Sequence, residues 1–149
     1  MQTTLTGEKI ILNIHEARDY FIKYLQSRGY TVYKTVPSNF SRHYIIYVRD
    51  PELGDTRRYY MIYQRRWFES FHKYFGVQEE AVTINLPILY RIITHEIPYI
   101  VWVSLDGKIF MIPSKKALRL AKKNKWIRKT EKTNEPVAHI PLSKLIKLV

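Results

Sequence analysis

The chemistry most visible in the sequence is cationic. Lys115, Lys116, Arg119, Lys122, Lys123, Lys125, Arg128, Lys129 and Lys132 fall within one short stretch, opposed there only by Glu131. Positive side chains at this spacing lie largely on one side of a helix and can follow a phosphate backbone. Trp126 stands inside the stretch. An indole there either stacks on a base or anchors the segment to the core, and the core is the expectation. A second group, Arg42, Arg57, Arg58, Arg65 and Arg66, interleaves with Tyr44, Tyr47, Tyr59, Tyr60 and Tyr63. An arginine fork holds phosphate oxygens in pairs, while most of these tyrosines are expected to fill or cover a sheet. The formal net charge is +12, from 25 Lys+Arg against 13 Asp+Glu. So large an excess sets up a long-range positive field. DNA or RNA, and less often an anionic membrane surface, are the partners it fits. The alternative is a solubilising or heat-adapted surface, and the richness in Ile, Tyr and Lys leans toward a heat-adapted source.

Other chemistries are thinly represented. His95-Glu96 could form an acid–base pair, but a histidine that ends a helix, where its charge suits the dipole, beside a solvated Glu96 is the expected arrangement. Glu16 stands three residues after Asn13, the spacing of a capping box. Cysteine is absent, which excludes disulfides, zinc-thiolate sites and a cysteine nucleophile. Nothing in the chain resembles a Gly-rich phosphate loop, a nucleophile elbow or zinc-ligand spacing, so a small-molecule enzyme has no support. The first residues lack the pattern of a signal peptide, because Ile10-Ile11-Leu12 is too short an apolar run. No apolar run approaches a membrane span. An intracellular, cytoplasmic protein is expected, with no membrane partner.

The elements that must carry these groups can be read from periodicity. With 149 residues, a single domain over 1–149 is expected. Ala17, Tyr20, Phe21, Tyr24 and Leu25 form one helical face, which Asn13 caps and Gly29 ends. Tyr30–Val36, His43–Val48 and Arg58–Arg66 read as strands. The last two form a hairpin across the Pro51 and Gly54 turn. Trp67, Phe68, Phe71, Tyr74 and Phe75 have helical spacing before Gly76. A helix is predicted over Leu86–His95, capped by Asn85 with Pro87 in its first turn. Asp106-Gly107 joins strands Tyr99–Ser104 and Lys108–Ile112. Pro113-Ser114 opens the lysine-rich helix to Lys123. After a polar stretch, Lys125–Glu135, come a short strand at Val137–Ile140 and a helical turn from Pro141. Mixed order with hairpins predicts an α/β fold, a mixed β-sheet flanked by helices.

This order and its local segments resemble the PD-(D/E)XK nuclease superfamily, in particular archaeal Holliday-junction resolvases and Mrr-like nucleases. The segments are HEARDYFIKYLQSRGY with Glu16, the strand TVY, the hairpin HYIIYV…YYMIYQRR, ITHEIPYIVWV, SLDGKIFMIPSKKAL and HIPLSKLIKL. The resemblance covers most of the chain and implies a restriction-endonuclease-like fold. It also implies an archaeal or viral source among other possibilities, a nucleic-acid partner that is DNA before RNA, and dimerisation. In that superfamily carboxylates hold one or two metal ions, Mg²⁺ or Mn²⁺, which activate water against a phosphodiester.

The sequence departs from that pattern at the residues that matter most. With a hairpin turn centred between Leu53 and Gly54, His43 is expected opposite Gln64. Gln64-Arg65-Arg66 then occupies the place of (D/E)-x-K, and His43 the place of an acid. Mrr-like enzymes carry Gln in the first position, but Arg66 stays protonated and cannot act as a base. Imidazole is a poor ligand for Mg²⁺. Asp55 or Asp50 would supply the missing acid only under a different register, while Glu16 is the carboxylate that best survives. The catalytic candidates are thus Glu16, His43, Gln64 and Arg66, with Glu16 and Asp55 as metal ligands. The nucleic-acid-binding candidates are Arg42, Arg65, Arg66, Lys115, Lys116, Arg119, Lys122, Lys123 and Arg128. The leading expectation is a nuclease-like protein that binds backbone phosphate with little or no cleavage. An active metal-dependent endonuclease and a dimeric interaction module are its rivals.

Overall fold

In the computed structural model, which describes residues 2–3, 9–38, 43–65, 67–70, 79–129 and 134–149, a short β1 (Gln2–Thr3) and β2 (Lys9–Ile10) precede helix α1 (Ile14–Ser27). Then follow β3 (Thr31–Pro37), β4 (Tyr44–Arg49), β5 (Thr56–Gln64), β6 (Phe68–Ser70), β7 (Glu79–Asn85) and helix α2 (Leu86–Thr94). The chain ends with β8 (Tyr99–Ser104), β9 (Ile109–Pro113), helix α3 (Ser114–Lys123), β10 (Ile127–Lys129), β11 (Pro136–Pro141), a 3₁₀ turn (Leu142–Lys144) and β12 (Ile146–Lys147). The main sheet has six strands in the order β12-β9-β8-β5-β4-β3. All its neighbours are antiparallel except β5 and β8, which run parallel. This is the mixed sheet that the element order predicts.

Each face of the sheet buries its own core. On one side Ala17, Phe21 and Leu25 of α1 pack against Ile46, Val48, Tyr59, Met61, Val101 and Val103. On the other, Tyr60, Ile62, Ile100 and Trp102 meet Leu89 and Ile92 of α2, Ala117 and Ala121 of α3, and Val82, Ile84, Ala138 and Ile140. The last four belong to a second, four-stranded sheet, β10-β11-β7-β6, of which only Val137–Ile140 was expected from the sequence. The alternation of Val82 and Ile84 in β7, both buried, is the period-2 signal that marks it.

Three expectations need correction. Phe68–Ser70 is not helical but forms β6, paired with Glu79–Ala81; Phe71, Tyr74, Phe75 and Gly76 lie outside the described residues. An aromatic cluster this short satisfies either period, and pairing with β7 decides it. Asn85 does precede α2, but its side chain makes no capping bond and instead donates to Glu135 (2.5 Å). The hairpin register also differs. Tyr44 pairs with Met61 and Arg49 with Thr56, so one further step places His43 opposite Ile62 rather than Gln64. The cause is the turn itself. Asp50 Oδ1 accepts from the N–H groups of Glu52 (2.9 Å) and Leu53 (3.2 Å), which centres the bend one residue earlier. The displacement is two residues, an even number, so the face of every side chain is kept.

Candidate functional site

Helix α3 gathers the basic residues. At about 100° per residue, Lys115, Lys116, Arg119, Lys122 and Lys123 fall within an arc of about 120°. Ser114, Ala117 and Ala121, which are buried, occupy the opposite arc. All five cations are exposed, and no ion pair joins any of them to a described acidic residue. Lys122 Nζ sits 5.2 Å from the centre of the Tyr90 ring, which ties the stripe to α2. From Lys115 to Lys123 the stripe is about 12 Å long. Trp126 is buried, 8% exposed, so it belongs to the core as expected. Arg128 on β10 is half-buried, and its charge helps burial to depress the pKa of His139 to about 4.

His43 and Gln64 do meet, in a cavity of about 570 Å³ lined also by Thr83, Asn85, Arg91 and Glu135. Both side chains are held there by hydrogen bonds. Gln64 Nε2 donates to the Ala81 carbonyl (3.2 Å), and Gln64 Oε1 accepts from the Thr83 N–H (3.0 Å). The amide thus continues the strand ladder where β7 extends past β6. Trp102 Nε1 donates to the Thr83 carbonyl (3.2 Å), so two side chains of the main sheet fasten the edge of the second. His43 Nδ1 lies 2.8 Å from the Tyr60 hydroxyl, which is 3.1 Å from Ser38 Oγ. Burial holds the His43 pKa down to about 4 and pushes Tyr60 up to about 12. Both rings are therefore neutral at pH 7.

Glu16 lies on the other face of the sheet. Its N–H donates to Asn13 Oδ1 (2.9 Å), and its Oε2 accepts from the Leu12 N–H (2.6 Å). The Asn13 side chain caps the helix as the Asn13–Glu16 spacing predicts, while the Glu16 carboxylate closes on the Leu12 N–H, one residue before the N-cap N–H that a capping box would use. That backbone hydrogen bond holds the Glu16 carboxyl below its ordinary pKa. Asp55 is at the far end of α1. Gly29, just past that helix, stands beside Pro51 of the same hairpin turn, so Glu16 and Asp55 are separated by about the length of the helix, roughly 20 Å. The metal ligands expected from the family pattern are thus not brought together. Among the described residues no three of His, Cys, Asp and Glu are grouped to hold an ion. The described donors do not form a two-carboxylate metal centre.

The arginine group is dispersed as well. Arg57 and Arg58 stand at the turn end of β5, on opposite faces, with Arg57 over the Tyr30 ring at 5.9 Å. Arg58 Nη2 donates to the Glu96 carbonyl at 2.8 Å. Arg65 is exposed past the other end of β5, about 23 Å from Arg58 along the strand. Arg42 and Arg66 lie outside the described residues. His95 caps the end of α2 as expected.

No protein-family model and no curated protein matches the sequence. Among solved structures, a nuclease from a fusselovirus aligns over 95% of this chain and 91% of its own, with a TM-score of 0.53 and 14% sequence identity. The chain has a nuclease-like fold. At that identity the likeness concerns architecture, and what the side chains do must be read from their own geometry. Sequence reasoning missed Thr83, which donates to the Gln64 amide, and Trp102, which donates to the Thr83 carbonyl. The only sequence signal for either was an indole in a buried strand, which needs an acceptor for its N–H.

Proposed function

We propose that the chain binds nucleic acid, DNA in the first place, through its phosphate backbone, and that binding rather than metal-dependent cutting is the property its residues serve. The observation that carries this reading is the stripe of five exposed cations along one side of α3. Such a stripe releases counterions when it meets phosphates, and the net charge of +12 draws a polyanion toward it. The nuclease-like fold supports the same class of partner. The commitments of Glu16 to a helix cap, Gln64 to β7 and His43 to Tyr60 weigh against the family's catalytic use of those positions. An intracellular setting goes with this reading. No described helix is long and apolar enough to cross a membrane.

Labelled duplex, branched and single-stranded DNA, incubated with Mg²⁺ or Mn²⁺ and against EDTA, tests it on one set of gels. Retained complexes that vanish as salt rises, without metal-dependent cutting, are expected. Cutting that needs the metal and is lost in Glu16→Ala or Gln64→Ala would replace the proposal with an endonuclease, the reading that the fold likeness favours. Salt-resistant self-association without retention would instead make the chain a dimeric interaction module.

A further inference from the structure

The turn end of the main sheet carries a second feature on the face that also bears α2 and α3. β3 is an edge strand, and its register against β4 shifts between Val32 and Lys34, so Tyr33 is the extra residue of a bulge. A bulge re-aims the side chain it inserts. Here it lays the Tyr33 ring beside that of Tyr47, 6.0 Å between centres and tilted by 58°. Tyr33 is 49% exposed, although large aromatic rings are usually mostly covered. Cations surround the pair. Lys34 Nζ is 5.3 Å from the centre of the Tyr47 ring, and the Arg49 guanidinium 5.8 Å from that of Tyr33. Arg58, opposite Tyr47, is fixed in place by its bond to the Glu96 carbonyl. Tyr33, Tyr47, Thr56 and Arg58 line a recess of about 380 Å³ that also reaches Glu96 and Pro98. Glu96 and Pro98 in turn line the hollow that reaches Ser114 and Lys115, the first residues of α3. The recess therefore leads toward the start of the cationic stripe.

We propose that this recess is a stacking platform for unpaired nucleotides, placed where a strand leaving a duplex held on α3 would arrive. The exposed Tyr33 ring, backed by the half-buried Tyr47 and flanked by lysine and arginine, offers what single-stranded nucleic acid requires, a π-face for the base and charge for the phosphates that flank it. Arg49 and Lys34, over the rings in the free protein, stand where those phosphates would lie. The chemistry recognised is an unpaired base between two phosphates, and it is common to DNA and RNA. This inference rests on the nucleic-acid reading above and adds the form of the ligand.

The test compares a blunt DNA duplex with the same duplex carrying an unpaired thymidine tail, for the native chain, Tyr33→Leu and Tyr33→Phe. The native chain is expected to prefer the tailed probe. Tyr33→Leu should weaken tailed binding about 5- to 150-fold, the span given by loss of one stacked base, and leave the blunt duplex and its salt dependence unchanged. Tyr33→Phe, which keeps the ring, should retain the preference and controls for folding. Unchanged tailed affinity in Tyr33→Leu, or equal loss on both probes, overturns the platform. A ribonucleotide tail run in parallel shows which polymer is preferred, and a tail preference that survives Tyr33→Leu also overturns it. Failure of the underlying reading is separate. It would show as salt-independent binding of the blunt duplex by the native chain, whatever Tyr33 does.

Discussion

Replacing Lys116, Arg119 and Lys123 together by glutamine removes three of the five cations of the α3 stripe and leaves Lys115 and Lys122 in place. Each phosphate contact on B-form DNA contributes about 0.9 to the slope of log affinity against log salt. If all five cations meet phosphates, the native slope is about −4.5. Affinity then falls about 500-fold between roughly 50 and 200 mM salt. The triple variant keeps a slope of about −1.8, and the same salt change costs it about 12-fold. The three side chains are exposed and point away from Ala117 and Ala121, so the melting temperature should barely move. Fluorescence anisotropy of a labelled duplex over a salt series reads the slope directly. A triple variant with the native slope would refute the assignment of the helix as the phosphate-binding surface.

Other consequences concern the scaffold. Gln64→Ala removes the acceptor of the Thr83 N–H and one donor to the Ala81 carbonyl and should cost about 1–3 kcal/mol in chemical denaturation, with faster hydrogen exchange at the Thr83 amide. A Gln64→Ala protein as stable as the native one would mean the clamp contributes nothing. His43 has its pKa lowered to about 4 by burial. Between about pH 6.5 and 4 the unfolded chain therefore takes up a proton that the folded chain refuses. Stability from this group is full above about pH 6.5 and is lost as pH falls toward 4, by about 3 kcal/mol. Denaturation across that range, with imidazole NMR titration, checks it, and a His43 midpoint near 6.5 would contradict the burial. Gly107 has φ +80°, and a Cβ there would come within 3.0 Å of the Tyr20 hydroxyl, which donates to the Gly107 carbonyl (2.8 Å). Gly107→Ala should lower stability by about 1–2 kcal/mol through the left-handed backbone alone, measured by thermal melting.

The sequence carried the elements that are local. Asn13, Glu16 and Gly29 bound α1 as predicted, because caps and left-handed glycines act within a few residues. Asp106-Gly107 marked its hairpin for the same reason. What escaped was decided at a distance. β7 has only two strongly β-forming inward residues, Val82 and Ile84, and becomes a strand because β6 and β11 pair with it. Gln64 read as a member of a catalytic motif because its strand and position fit one. Its actual partners, Ala81 and Thr83, lie in a strand the sequence had not revealed. The face of Gln64 was right and its register against His43 was not, since period-2 alternation fixes faces and turn chemistry fixes register. The cations of α3, by contrast, were legible in full, because helical spacing alone sorts them to one side.

The two outer strands of the main sheet say how copies of the chain can meet. β12 has two residues, too few to template a partner. β3 is longer, but it is broken by the bulge at Tyr33, carries the exposed Lys34 and ends in Pro37. Short length, a bulge, lysine and proline are the devices by which native sheets refuse strand addition. A protein concentrated along a polyanion, many copies side by side, would otherwise risk zipping edge to edge into fibrils. Here the bulge that turns Tyr33 outward also interrupts the row of backbone groups that such growth would need. Both described edges of the main sheet therefore resist its continuation, and contacts between copies there fall to side-chain surfaces.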